Sequence, residues 1–166
     1  MSWLGLVRRG AVGHGGLRFG IVRSGNLNNQ VKEIPMGIDC YLINPDTNKL
    51  HAEETGQEEA MGFNPFSGHA GYLREAYHGG PYATQVLLPE GWIDEHERDE
   101  EGAFTIEAST LRHRLPKTLE AAAIRNRENY SGRDEEMVLK SFKDFVDLAE
   151  ELEKEKGKPC KFYVSY

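Results

Sequence analysis

Hydrophobic and polar positions change period three times along the chain, and each change predicts an element. An apolar run opens abruptly at Met36 and predicts a strand over residues 37–44. Residues 103–108 (Ala-Phe-Thr-Ile-Glu-Ala) alternate with a period of two, as a half-buried strand does. The last segment, 160–166, alternates in the same way. Cys160, Phe162, Val164 and Tyr166 fall on one face, with Lys161, Tyr163 and Ser165 on the other.

Between these strands the period becomes helical. Val138, Phe142, Phe145, Ala149 and Leu152 form one apolar stripe and predict a helix over about 134–156. Acids at 134, 135 and 136 and lysines at 154 and 156 suit its dipole, Gly157 stops it and Pro159 follows. Leu111, Leu115, Leu119, Ala122, Ala123 and Tyr130 also recur at helical spacing, with Pro116 inside the pattern. The proline predicts a short turn ending at Leu115, capped by Ser109 or Thr110, then a new helix with Pro116 near its first position and Ser131-Gly132 as its end.

The remaining segments are shorter. Asn44-Pro45-Asp46-Thr47-Asn48 is turn chemistry, after which residues 49–52 return as a hairpin and 53–60 are solvated. Residues 68–77 suit a short helix, 82–88 have strand character, and 92–101 form an acidic helical turn or loop. Strands and helices do not alternate as βαβ units. The expected fold class is therefore α+β: a mainly antiparallel sheet, two helices from the C-terminal half on one face, and the C-terminal strand returning to the sheet.

With 166 residues the chain suits one domain, placed at 36–166, with residues 1–35 as an extension. Glycines at 10, 13, 15, 16, 20 and 25 break every helical period in that extension, which predicts a poorly ordered arm dispensable for folding. A start at Met36, a basic arm touching an acidic partner, and a transit-like segment are alternative origins for it. The arm carries Arg8, Arg9, Arg18, Arg23 and Lys32 against the single acid Glu33, while the whole chain is at −7. An acidic body repels a phosphate backbone, so no specific nucleic-acid binding is expected, and a basic protein or a small anionic ligand is the better partner. No apolar run approaches a membrane span and no secretory signal is evident, which makes the cytoplasm the expected compartment. Cys40 and Cys160 are too few for a disulfide framework and read as small buried hydrophobes.

Candidate chemistry concentrates in Arg74-Glu75-Ala76-Tyr77-His78-Gly79-Gly80-Pro81-Tyr82. Titratable groups, aromatic faces and a glycine turn come together nowhere else. The first reading is a non-catalytic module that binds a protein or small ligand through segment 72–84. Tyr72, Tyr77 and Tyr82 would offer exposed recognition surface, Gly79 and Gly80 backbone donors, and Arg74 a partner for a carboxylate or phosphate. The alternative is a small enzyme with His78 as general acid or base, Glu75 as its orienter and Arg74 holding an anionic substrate group. That alternative requires His78, Arg74 and Glu75 to converge in one pocket. A third class is an assembly protein whose aromatics are buried against a second copy.

Other motifs are incomplete. His78-Gly79-Gly80 is similar to part of the oxyanion loop of lipases and esterases, but no Gly-x-Ser-x-Gly elbow accompanies it. His69, His78 and His96 lack the i, i+4 spacing of a helical metal pair, and the acidic run 95–101 lacks the pattern of an EF-hand loop. No metal and no cofactor is expected. Arg112, His113, Arg114 and Lys117 read as a solvated basic spot at a helix start, and the aromatics of the last helix and strand as packing.

Overall fold

The computed structural model describes residues 37–61, 67–75, 82–88, 102–129 and 134–165, all within the compact unit Ile34–Tyr166. The extension 1–35, the acidic segment 92–101 and the Ser131-Gly132 stop lie outside the described residues. Four strands form the sheet: β1 (Ile38–Ile43), β2 (Tyr72–Glu75), β3 (Phe104–Ile106) and β4 (Cys160–Ser165). Their spatial order is β2-β1-β4-β3 and every pairing is antiparallel. The C-terminal strand thus lies inside the sheet, and the expected α+β architecture is the one observed.

Alternation explains the layers. Ile38, Cys40 and Leu42 of β1, Leu73 of β2, Phe104 and Ile106 of β3, and Cys160, Phe162 and Val164 of β4 are buried on one face. They share one core with Leu111, Leu115 and Ala122 of α4 (Ala108–Asn129) and Phe142, Phe145, Val146, Ala149 and Leu152 of α5 (Glu135–Lys156). Helix α5 follows the sequence pattern closely. The Asp134 side chain accepts from the Glu136 N–H at 3.0 Å, and Gly157 ends the helix in the left-handed region at φ +63°.

Helix α4 departs from expectation. It runs unbroken through Pro116 and begins at Ala108, ahead of both expected caps. The first amide is met from across the fold, since Ala108 N–H donates to Glu153 Oε2 at 2.8 Å. Pro116 lies on the exposed side of the helix, where solvent can meet the carbonyl deprived of its helical donor. Arg112 clamps the same turn to α5 through Glu150 and Asp147, so packing outweighs the proline penalty.

Three short segments also differ. The return at 49–52 is a single bridge, Ile43↔Leu50, followed at once by α1 (His51–Glu54). Both edges of β1 are already taken by β2 and β4, which leaves no edge for a hairpin partner. Residues 53–59 are mostly exposed, as expected, although α2 (Glu58–Met61) begins within them. The helix expected from residue 68 is a 3-10 turn, Gly68–Ala70, ended by Gly71 at φ +78°, and β2 follows. The expected strand over 82–88 is instead a helix, α3 (Ala83–Leu87).

Candidate functional site

Because β2 alternates, the residues singled out in segment 72–84 part company. Tyr72 and Arg74 stand on the sheet face turned away from α4 and α5, opposite Tyr41 and Asp39 of β1. Glu75 points the other way, toward the helices, and Tyr82 joins the core on that side. Arg74 and Glu75 therefore lie on opposite faces of the sheet. Tyr77, His78, Gly79 and Gly80 lie outside the described residues.

On the helix side, Glu75 is engaged at both oxygens. It accepts Ala83 N–H at 3.0 Å and Thr84 N–H at 2.6 Å, and Arg125 Nε of α4 stands 3.2 Å away. The Arg125 guanidinium also lies over the Tyr82 ring, 4.4 Å from its centre. Asn126 and Thr84 are buried in the same region, and Thr84 Oγ1 has no hydrogen-bond partner among the described residues. Tyr82, expected to be exposed for recognition, is buried here as the residue that opens α3. The work done by these groups is to hold α3 in place.

The opposite face carries a row of three tyrosines, one from each of three adjacent strands. Tyr41 of β1 is in register with Tyr72 of β2 and Tyr163 of β4. The Tyr41 and Tyr72 rings stack at 5.1 Å, and Tyr41 and Tyr163 meet at 6.2 Å with a 39° tilt. In the next rung, Tyr72 OH donates to Asp39 Oδ1 at 2.6 Å and Arg74 Nε lies 3.6 Å from the same oxygen. Burial raises the phenol pKa of Tyr72 well above its ordinary value, and the Asp39 hydrogen bond raises it further. Tyr41 is raised too, chiefly by burial and then by the Asp39 charge.

Exposure increases along this row. Tyr72 is 2% exposed, which overturns its expected role as an open recognition ring. Tyr41 is half-buried, and Tyr163 is exposed at 37%. Tyr163, Tyr41 and Asp39 received no role from the sequence, where Tyr163 reads as packing. The signal was present nonetheless: 39, 41, 161, 163 and 165 are the alternate positions to the apolar set on β1 and β4.

Arg112, Arg114 and the two thiols elsewhere have internal surroundings. Arg112 is held by Glu150 and Asp147, and Arg114 by the carbonyls of Val86 and Leu88, so these two arginines are structural ties, while His113 and Lys117 are exposed. Cys40 and Cys160 are buried and free, and the register sets Cys40 opposite Val164. Burial pushes both thiols up, Cys160 to about 12. Among the described residues, no three His, Cys, Asp or Glu side chains converge to hold a metal ion, and no helix is long and apolar enough to cross a membrane. A cleft of about 440 Å³ lies between the start of α4 and the end of α5, far in sequence from segment 72–84. Its Glu150 and Glu153 already serve Arg112 and the Ala108 amide. Compared with family models, curated proteins and solved structures, the chain matches none.

Proposed function

We propose that this chain is a non-catalytic binding module whose recognition surface is the sheet face turned away from α4 and α5. The observation that carries the reading is the contact between Tyr41 and Tyr163 on the two central strands, with Tyr163 exposed. Of the exposed large hydrophobic side chains among the described residues, Ile124 and Met137 are aliphatic and lie on helices, whereas Tyr163 stands in an ordered aromatic row. Tyrosine presents broad surface with a hydroxyl at its edge and few rotamers to immobilise, which suits recognition. From segment 72–84, Tyr72 is the buried end of the row and Arg74 lies beside it, near Asp39. Glu75 and Tyr82 serve the fold. The acid–base reading loses its support, because Arg74 and Glu75 point to opposite faces and each is held by an internal partner.

The ligand class follows the charge reasoning: a protein with basic surface, or a small anionic molecule. A thermal-shift screen of basic proteins and anionic metabolites tests this, with the natural chain beside Tyr163→Ala and Tyr41→Ala. A true ligand raises the melting temperature of the natural chain by mass action and loses that effect in both variants. A ligand that stabilises all three equally binds elsewhere and refutes the assignment.

A further inference from the structure

We propose that the tyrosine row receives an arginine side chain of a basic protein partner, with the guanidinium stacked against the exposed part of the Tyr163 ring. This rests on the sheet face being the recognition surface and narrows what that surface takes. Tyr163 is held on two sides. Tyr41 meets it from β1, with ring centres 6.2 Å apart. Toward β3 stands Gly102, where a Cβ would lie 3.7 Å from Tyr163 Cε2. Gly102 has φ +80°, a conformation that glycine adopts without steric cost. The ring is therefore placed before anything binds, while 37% of Tyr163 stays exposed. An anchor fixed in advance loses little freedom on association.

The chemistry of the face selects a cation. An aromatic ring carries negative potential over its face, which draws a guanidinium and not an anion. The chain holds 27 Asp and Glu against 20 Lys and Arg, a net of −7, and that field attracts a basic partner from a distance. The cations on the same face have acceptors within the chain. Arg74 Nε lies 3.6 Å from Asp39 Oδ1, and Lys161 Nζ donates to Asn48 Oδ1 at 3.0 Å. An anion would have to draw them from those acceptors. The register sets Asp39 one rung to one side of the Tyr41–Tyr163 pair and Lys161 one rung to the other, and Lys161 reaches toward the turn at Asn48. A guanidinium already lies over a tyrosine in this fold, Arg125 at 4.4 Å from the Tyr82 ring centre. Shape favours a protein over a small molecule, because the row crosses three adjacent strands, whereas small ligands are taken up in concave sites. Arginine is preferred to lysine because its planar, weakly hydrated head stacks on a ring.

Titration of the full chain with an oligoarginine peptide tests this, read by the dissociation constant and by the NMR resonances of the tyrosine rings. An oligolysine peptide of equal length and inorganic phosphate are the comparisons. The arginine peptide is expected to shift the Tyr163 and Tyr41 ring resonances and to bind more tightly than the lysine peptide. Tyr163→Leu weakens the arginine peptide by about fivefold, as loss of an exposed cation–π contact does, and Tyr163→Phe leaves its affinity unchanged. Neither substitution alters charge, so the loss reports the ring and not the acidic field. Equal affinity of the natural chain and Tyr163→Leu for the arginine peptide overturns the inference. If phosphate shifts the two rings and the arginine peptide does not, the arginine partner falls while the recognition surface stands. If no probe moves either ring, both fall.

Discussion

Glu75 and Arg125 form an ion pair of 3.2 Å in which only 8% and 7% of the two side chains are exposed. A buried pair is costly to assemble and more costly to halve, because the survivor stays charged in a dry site. The two halves are unequal here. Glu75 without Arg125 still accepts two backbone amides at a helix start, whereas removal of Glu75 takes the acceptor from both of those amides.

An asymmetric response to substitution is therefore expected. Glu75→Gln lowers folding stability by about 3–5 kcal/mol, in the range for breaking a buried pair. Arg125→Met costs about 1–3 kcal/mol, since its apolar stem still covers Tyr82 and the carboxylate keeps its amide donors. Urea unfolding of both variants decides the matter. Equal losses, or a larger loss for Arg125→Met, would show that the guanidinium and not the carboxylate organises the junction.

Gly68 marks the closest approach of the 3-10 turn to α5. A methyl group there would lie 1.8 Å from the Ser141 carbonyl oxygen, and Gly68 N–H donates to Ser141 Oγ at 3.2 Å. Gly68→Ala must push backbone against backbone, so a loss of more than about 2 kcal/mol is expected. Gly56→Ala is the control. Its φ is +70° but its surroundings are open, and only the left-handed backbone penalty of about 1 kcal/mol applies. Comparable melting temperatures for the two variants would mean that the turn can move away from α5 freely.

What the sequence disclosed and what it hid follow from the range of the interactions involved. Helix α5, β3 and β4 were legible because period, caps and dipole charges all lie within their own residues. The misread pieces depend on residues far along the chain. Helix α3 looks like a strand from Val86-Leu87-Leu88, and its helical state rests on Glu75 and Arg114. The start of α4 is set by Glu153, 45 residues away. Among the site residues, Arg74 and Glu75 looked like neighbours able to cooperate, and the turn to a strand at Tyr72 sent them to opposite faces. The tyrosine row needs the β1–β4 register, which no local pattern specifies.

Pro116 offers a test of how far packing overrides propensity. Its ring removes one hydrogen bond from the middle of α4, at a position exposed to solvent. Pro116→Ala restores the amide and should raise stability by about 1–2 kcal/mol, after allowing for the greater freedom it gives the unfolded chain. A decrease instead would mean that the sheet and α5 are fitted to a bent α4, so that straightening the helix misplaces Leu111 and Leu115. Calorimetry on the two proteins distinguishes these outcomes.

Acid should destabilise the fold in two separate limbs. Burial holds the His51 imidazole below its ordinary value of 6.5, the effect outweighing the nearby carboxylates of Glu54 and Glu155. The unfolded chain then binds a proton more readily than the folded one, so stability falls as pH drops below 6.5. The second limb belongs to carboxylates. Arg112 holds Glu150 below 4.5 through hydrogen bonds, and the Thr47 hydroxyl and Asn44 amide do the same for Glu54. Groups lowered in this way contribute stability that is complete above pH 4.5 and disappears as pH falls through their folded values. Chemical denaturation from pH 8 to pH 3 should show a shallow decline first and a steeper one after. His51→Gln removes only the shallow limb, and Arg112→Gln flattens only the steep one. Because the Glu150 side chain is 40% exposed, added salt should also weaken the steep limb. A single limb that both variants leave unchanged would place the acid-sensitive groups elsewhere in the chain.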